Sequence, residues 1–218
     1  MALTTELLIA RHGEAHCNVG GLVGGPQTCT GLTRRGRNQI AALASRLRTE
    51  QQSGQHIDVV YAGTRLRVQQ SGRILAEILG LPLHIEPGLD GPRHGNADGS
   101  PWHQIKTAFG GPPSSRPDDP WAPGSETWHN YLRRAGAFLT QLLDRHTDQR
   151  LLIAGHGETV EAAHTLLLDL PDNACTRIGF VTDHASLTRW QRHRNRLGRI
   201  VWLLAAHNDT THLRQAAP

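Results

Sequence analysis

Apolar positions along this chain form two kinds of run, short and continuous or long and periodic, and the two kinds alternate. Residues 7–10 (LLIA), 57–61 (IDVVY) and 151–154 (LLIA) are short runs bounded by charged or turn-forming residues, the pattern of buried strands. Between them the period becomes that of a helix. Residues 34–48 place Ile40, Leu43, Ala44 and Leu47 on one stripe. Residues 64–79 do the same with Ile74, Leu75, Ile78 and Leu79, with Thr64 as cap, Gly80 as stop and Pro82 just beyond. The clearest stripe lies in residues 125–144, through Trp128, Tyr131, Leu132, Ala135, Phe138, Leu139 and Leu142. A further helix after residue 157 turns Val160, Ala163 and Leu167 inward. Two last apolar stretches, 179–190 and 200–206, flank QRHRNRLGR and predict an antiparallel hairpin.

Glycine and proline break this rhythm twice. Residues 20–31 form a Gly-rich loop. Residues 87–124 hold PGLDGPRHGNADGSP and GGPPSSRPDDPWAPG, a stretch too long for a simple connection. It is expected to be an insertion that covers a site, because Trp102 and Trp121 give it surface to bury and Arg93, His94, His103 and Arg116 give it basic contacts. Alternating strands and helices predict an α/β fold, three layers α/β/α around a mostly parallel central sheet. No repeat and no linker divides the chain, so one domain over residues 1–218 is expected, with a lid at about 87–124.

Composition changes this picture little. The 218 residues are 38% hydrophobic, enough to build a core. No run approaches the roughly 18–20 apolar residues of a membrane helix, and the N-terminus lacks the charged and apolar regions of a signal peptide. Cys17, Cys29 and Cys175 form neither a paired framework nor a CxxC, and read as reduced thiols of a cytoplasmic protein. The net charge of +4 comes almost wholly from arginine and suits an anionic substrate.

The chemistry sits where two strands end. Residues 7–14 read LLIA-RHGE and residues 151–158 read LLIA-GHGE, so each run stops at a histidine followed by glycine. Ligands of open parallel sheets bind beyond the carboxyl ends of the strands, which brings His12 and His156 to one edge. Imidazole is a nucleophile able to form a covalent intermediate, and arginine matches phosphate oxygens with paired donors. Arg11 adjoins His12, and YAGTRLRVQQS (61–71) offers Arg65 and Arg67 at a helix start that itself favours an anion.

In this order these pieces resemble the histidine phosphatase superfamily, in the branch that contains cofactor-dependent phosphoglycerate mutase and its phosphatase relatives. RHGE with Asn18 is similar to the family signature, GLTRRGRNQ (31–39) to its LTxxGxxQ helix start, and YAGTRLRVQQS to its YSSxLxRAxQT segment, an alignment that selects Arg67 over Arg65. PGSET (123–127), GHGETV (155–160) and Asn208–Asp209 with His212–Leu213 resemble further family segments. The resemblance implies that His12 becomes a phosphohistidine while Arg11, Arg67 and His156 hold the phosphoryl oxygens. It further implies that Asn18, Gly24 and Gly157 contact phosphate, and that Glu14 braces the pocket. No metal and no cofactor is implied, and the histidines show no metal-binding spacing.

One segment departs from the pattern. The family form LxExxxG, whose glutamate protonates the leaving oxygen, stands here as LDGPRHG (89–95), with Gly91 where the glutamate belongs. Asp90 is the expected substitute, with Asp98, Glu158 or no protein acid as alternatives. The expected activity is hydrolysis of a small phosphorylated metabolite. A phosphoglycerate-type mutase and a non-catalytic phospholigand-binding protein are the rivals. The basic hairpin 189–199, with Arg189, Arg192, Arg194, Arg196 and Arg199 beside Trp190 and His193, is read as a solvated tip rather than a nucleic-acid surface. Pairing into a homodimer is compatible with such a fold.

Overall fold

A computed structural model describes residues 2–214 of the chain. The strands are β1 (Ala2–Arg11), β2 (Val59–Ala62), β3 (Leu83–Ile85), β4 (Arg150–Gly155), β5 (Leu187–Arg194) and β6 (Ile200–Asp209). The helices are α1 (His16–Val19), α2 (Arg34–Gln52), α3 (Leu66–Leu79), α4 (Trp102–Phe109), α5 (Trp128–Arg145), α6 (Gly157–Leu167) and α7 (Thr211–Arg214). All six strands form one sheet in the order β3-β2-β4-β1-β5-β6. The first four run parallel, and β5 and β6 complete the sheet as an antiparallel hairpin. The fold is therefore α/β with a mostly parallel central sheet.

The sheet's two faces explain why its inner strands read as unbroken apolar runs. Leu7, Ile9, Leu151 and Ile153 point to one side, where Tyr131, Leu139, Val160 and Ala163 of α5 and α6 cover them. Leu8, Ala10, Leu152 and Ala154 point to the other, against Ile40 and Leu43 of α2 and Leu75 of α3. Each helix starts and stops for a local reason. Thr33 and Thr127 cap α2 and α5 by accepting from Gly36 N and Asn130 N. Gly80 ends α3 in the left-handed conformation, φ 70°.

Several elements differ from the sequence expectation. Strand β3 is a three-residue edge strand, too short to show a period. Helix α4 lies inside the insertion, started by Pro101 and stopped by Gly110 at φ 82°. Helix α3 is capped at Arg65, not Thr64, because Asp90 takes the Thr64 side chain. Strand β5 begins at Leu187 and continues through QRHR, leaving a turn over 195–199. Its Arg189 is held by Glu50 at 2.6 Å and its Trp190 is buried.

The insertion is stitched to the loop after α1. Val23 N donates to Ser100 O at 2.9 Å, Gly99 N to Val23 O at 2.8 Å, and Trp102 N to Gly21 O at 2.9 Å.

Candidate active site

Strands β1 and β4 are parallel neighbours in a register that pairs Arg11 with Gly155. The next residue of each is therefore a histidine at the same edge, and His12 N donates to Gly155 O at 2.9 Å. The two rings meet nearly at right angles, 78°, with centroids 5.3 Å apart. Both are almost fully buried.

Hydrogen bonds fix the state of each ring. His12 Nδ1 lies 2.7 Å from Gly13 O, and a carbonyl only accepts, so Nδ1 holds the proton. That places a lone pair on Nε2, where it accepts from Arg67 Nε at 3.1 Å. Arg67 Nη2 lies 3.4 Å from His156 Nδ1, which must accept. The proton of His156 is then on Nε2, a buried donor with no partner among the described residues. Burial lowers both imidazole pKa values well below 6.5, and the charge of Arg67 lowers them further. Two neutral rings, one offering a lone pair and one a proton, thus face each other across a guanidinium.

The other arginines divide between site and scaffold. Arg11 donates Nη1 to Thr182 O and Nη2 to His184 Nε2, the latter at 3.2 Å. Arg65 is buried behind the wall, bonded to His94 Nε2 at 3.0 Å and to Pro92 O. Arg67 also donates to Gly24 O at 2.7 Å. A side chain at Gly24 would press on Cys17 Sγ at 2.5 Å, so only glycine fits there.

A cavity of about 430 Å³ opens onto this group. Arg11, His12, Asn18, Gly24, Arg67, His156 and Gly157 all line it. Glu14 does not: its carboxylate accepts from Thr33 Oγ1 at 2.8 Å and faces Arg35. Its role is to seat the start of α2. Gln39 Oε1 accepts from Glu14 N at 2.9 Å, and a Cβ on Gly36 would lie 2.0 Å from Glu14 O. The GLTRRGRNQ segment therefore places Thr33, Gly36 and Gln39 to clamp residues 13–14, and its physical role is to hold His12 in place.

Asp90 is not brought to this cavity. Its oxygens accept from Thr64 N at 2.5 Å and Thr64 Oγ1 at 2.6 Å, and it lines a separate hollow with Pro87 and Arg134. Asp98 is likewise occupied, accepting from Gly25 N at 2.8 Å and Gln27 N at 3.0 Å. Of that segment Pro92 and His94 line the cavity, and a Cβ on Gly91 would lie 3.1 Å from His156 Cδ2. The carboxylates that do line the cavity are Glu158 and Glu161 of α6. The sequence reading missed Glu161 and His184. Glu161 carried a signal in its position three residues after Glu158 on a helix, whereas His184 sits in a loop with no pattern.

The sheet thus presents two facing histidines and two arginines at its carboxyl edge. Residues 7–204 match the model of the histidine phosphatase superfamily (branch 1), and the chain belongs to that family. It is 26% identical over 216 residues to a probable phosphoglycerate mutase, GpmB, of Yersinia enterocolitica, covering 95% of this chain and 94% of that one. It is 27% identical over 165 residues to a metal-independent phosphoserine phosphatase of Arabidopsis thaliana, covering 73% and 67%. Among solved structures, a mycobacterial glucosyl-3-phosphoglycerate phosphatase bound to VO3 superposes with a TM-score of 0.77 at 25% identity, over 95% and 99% of the two chains.

Proposed function

We propose that this protein is a phosphomonoesterase that hydrolyses a small phosphorylated metabolite through a phosphohistidine on His12. The observation that carries this reading is the pair of ring states. A lone pair on His12 Nε2 faces the space where Arg67 and an unpaired His156 N–H converge.

In the first step His12 Nε2 attacks phosphorus and the P–O bond to the leaving group breaks. Arg11, Arg67, the His156 Nε2 proton and Asn18 hold the three non-bridging oxygens, where charge gathers in the transition state. The N–H groups at the start of α6, at Gly157, add their partial positive charge. The departing oxygen takes a proton, assigned here to Glu158, the cavity carboxylate two residues beyond His156. In the second step water attacks the phosphohistidine, returns a proton to Glu158 and frees inorganic phosphate and neutral His12. Every catalytic group in this cycle comes from the chain, with water as the second nucleophile, so turnover is expected to survive chelation.

Phosphate release from an activated aryl phosphate tests the reading. Wild-type protein is expected to turn over, to keep its activity with a chelator, and to form an acid-labile phosphoprotein on a rapid quench. His12→Ala should abolish both signals. Unchanged turnover in His12→Ala, or loss of turnover on chelation, would overturn the mechanism.

A further inference from the structure

The phosphoryl site occupies only the floor of its cavity. Above it the lining is aromatic, with Trp102, Trp121, Trp128 and Phe180. Trp121 and Trp128 are themselves nine-tenths buried, so these rings are fixed walls rather than surface decoration. The same walls hold Glu158 and Glu161 on one face of α6.

Two carboxylates in such a place are an electrostatic anomaly. Neither forms an ion pair among the described residues. Burial deprives Glu161 of water, and the charge of Glu158 repels it. The arginines on the floor are committed elsewhere, Arg11 to Thr182 and His184 and Arg67 to His12 and Gly24. The cavity therefore has a positive floor and an aromatic upper wall that carries Glu158 and Glu161, with Lys106 beside Trp102. A ligand that satisfies both ends must carry an anion and a cation separated by a short apolar span.

Resting on the phosphatase reading, we infer that the substrate is the phosphate monoester of a cationic amino alcohol, its ammonium held by Glu161 and the faces of Trp128 and Trp121. An ammonium supplies Glu161 with the ion-pair partner it lacks among the described residues and gains cation–π attraction from desolvated indoles. Such a wall already accepts a cation at its rim, where Lys106 Nζ stands 5.7 Å from the Trp102 ring centre. A phosphorylated amino acid fits less well, because its carboxylate would meet Glu161 on the same wall.

The test compares 2-aminoethyl phosphate and choline phosphate with propyl phosphate, a neutral compound of similar shape, and with O-phosphoserine. The ammonium esters should show kcat/KM at least about tenfold above propyl phosphate and above O-phosphoserine. Glu161→Gln should reduce the ammonium-to-neutral ratio by a similar factor, and Trp128→Leu should reduce it too. Binding is read apart from turnover, by calorimetry on His12→Ala protein, where 2-aminoethyl phosphate should again bind about tenfold tighter than propyl phosphate. Equal affinities of the ammonium and neutral esters, a ratio untouched by Glu161→Gln, or a preference for O-phosphoserine would overturn the inference. An aryl phosphate as reference separates the two failures. If it is not hydrolysed, the phosphatase reading falls, while the binding ratio still decides the inference.

Discussion

Removing one charge from the substrate cavity should make the protein more stable. Burial, and then the charge of Glu158, raise the Glu161 pKa from 4.5 to about 7. At roughly 1.4 kcal/mol per tenfold change in proton affinity, the ionised form costs the fold about 3 kcal/mol. Between those two values the native state binds more protons than the unfolded state, so stability falls as pH rises. Below about pH 4.5 the group is neutral in both states and the penalty vanishes; above about pH 7 it is complete. Glu161→Gln, which is neutral throughout, should therefore raise the melting temperature at alkaline pH by about 6–12 °C for a chain of this size. It should leave the melting temperature near pH 4 almost unchanged. Circular-dichroism melts of both proteins across this range measure the difference directly. A gain independent of pH, or a loss at high pH, would show that Glu161 is not a strained carboxylate and would remove the electrostatic anomaly described above.

Two further substitutions address the site's frame and its proton donor. Gly36→Ala puts a methyl group against Glu14 O and should cost about 2–4 kcal/mol, read as a lower denaturant midpoint, with loss of activity that follows unfolding. A midpoint like that of the wild type would refute the clamp on residues 13–14. Asp90→Asn weakens the hold on Thr64 and should slow alkyl and aryl phosphates alike, whereas Glu158→Gln should slow alkyl phosphates by at least about a hundredfold more than activated aryl ones. The opposite pattern in steady-state kinetics would return the acid role to Asp90.

What the sequence revealed was set by periodicity and by paired motifs. The repeat of LLIA before each histidine located both strands and the edge where they end, because continuous apolar runs occur only in strands covered on both faces. Helices α2 and α5 were legible for the same reason, their stripes being long enough to count. Strand β3 and helix α4 escaped because three and eight residues carry too little periodicity. In the site, His156 was legible from the matched strand ends, and Arg67 was chosen over Arg65 only by resemblance to the family's YSSxLxRAxQT segment. Asp90 misled because proximity in sequence to Gly91 says nothing of which way the carboxylate turns; Thr64, waiting at the mouth of α3, captures it. Glu14 was expected to brace the pocket, but its carboxylate faces Thr33 and Arg35 at the start of α2, contacts visible only in three dimensions.

The three backbone bonds that stitch residues 99–102 to residues 21–23 divide labour between two parts of the molecule. On the proposed function the sheet edge would supply the reaction, and the insertion brings Trp102 and Trp121 to the same cavity. The Asp98 carboxylate adds to this join by accepting from Gly25 N and Gln27 N, so an insertion grafted between relatives must carry Asp98 along with the backbone contacts. With that anchor kept, the insertion is an exchangeable fitting, and grafting it tests whether substrate preference moves with it.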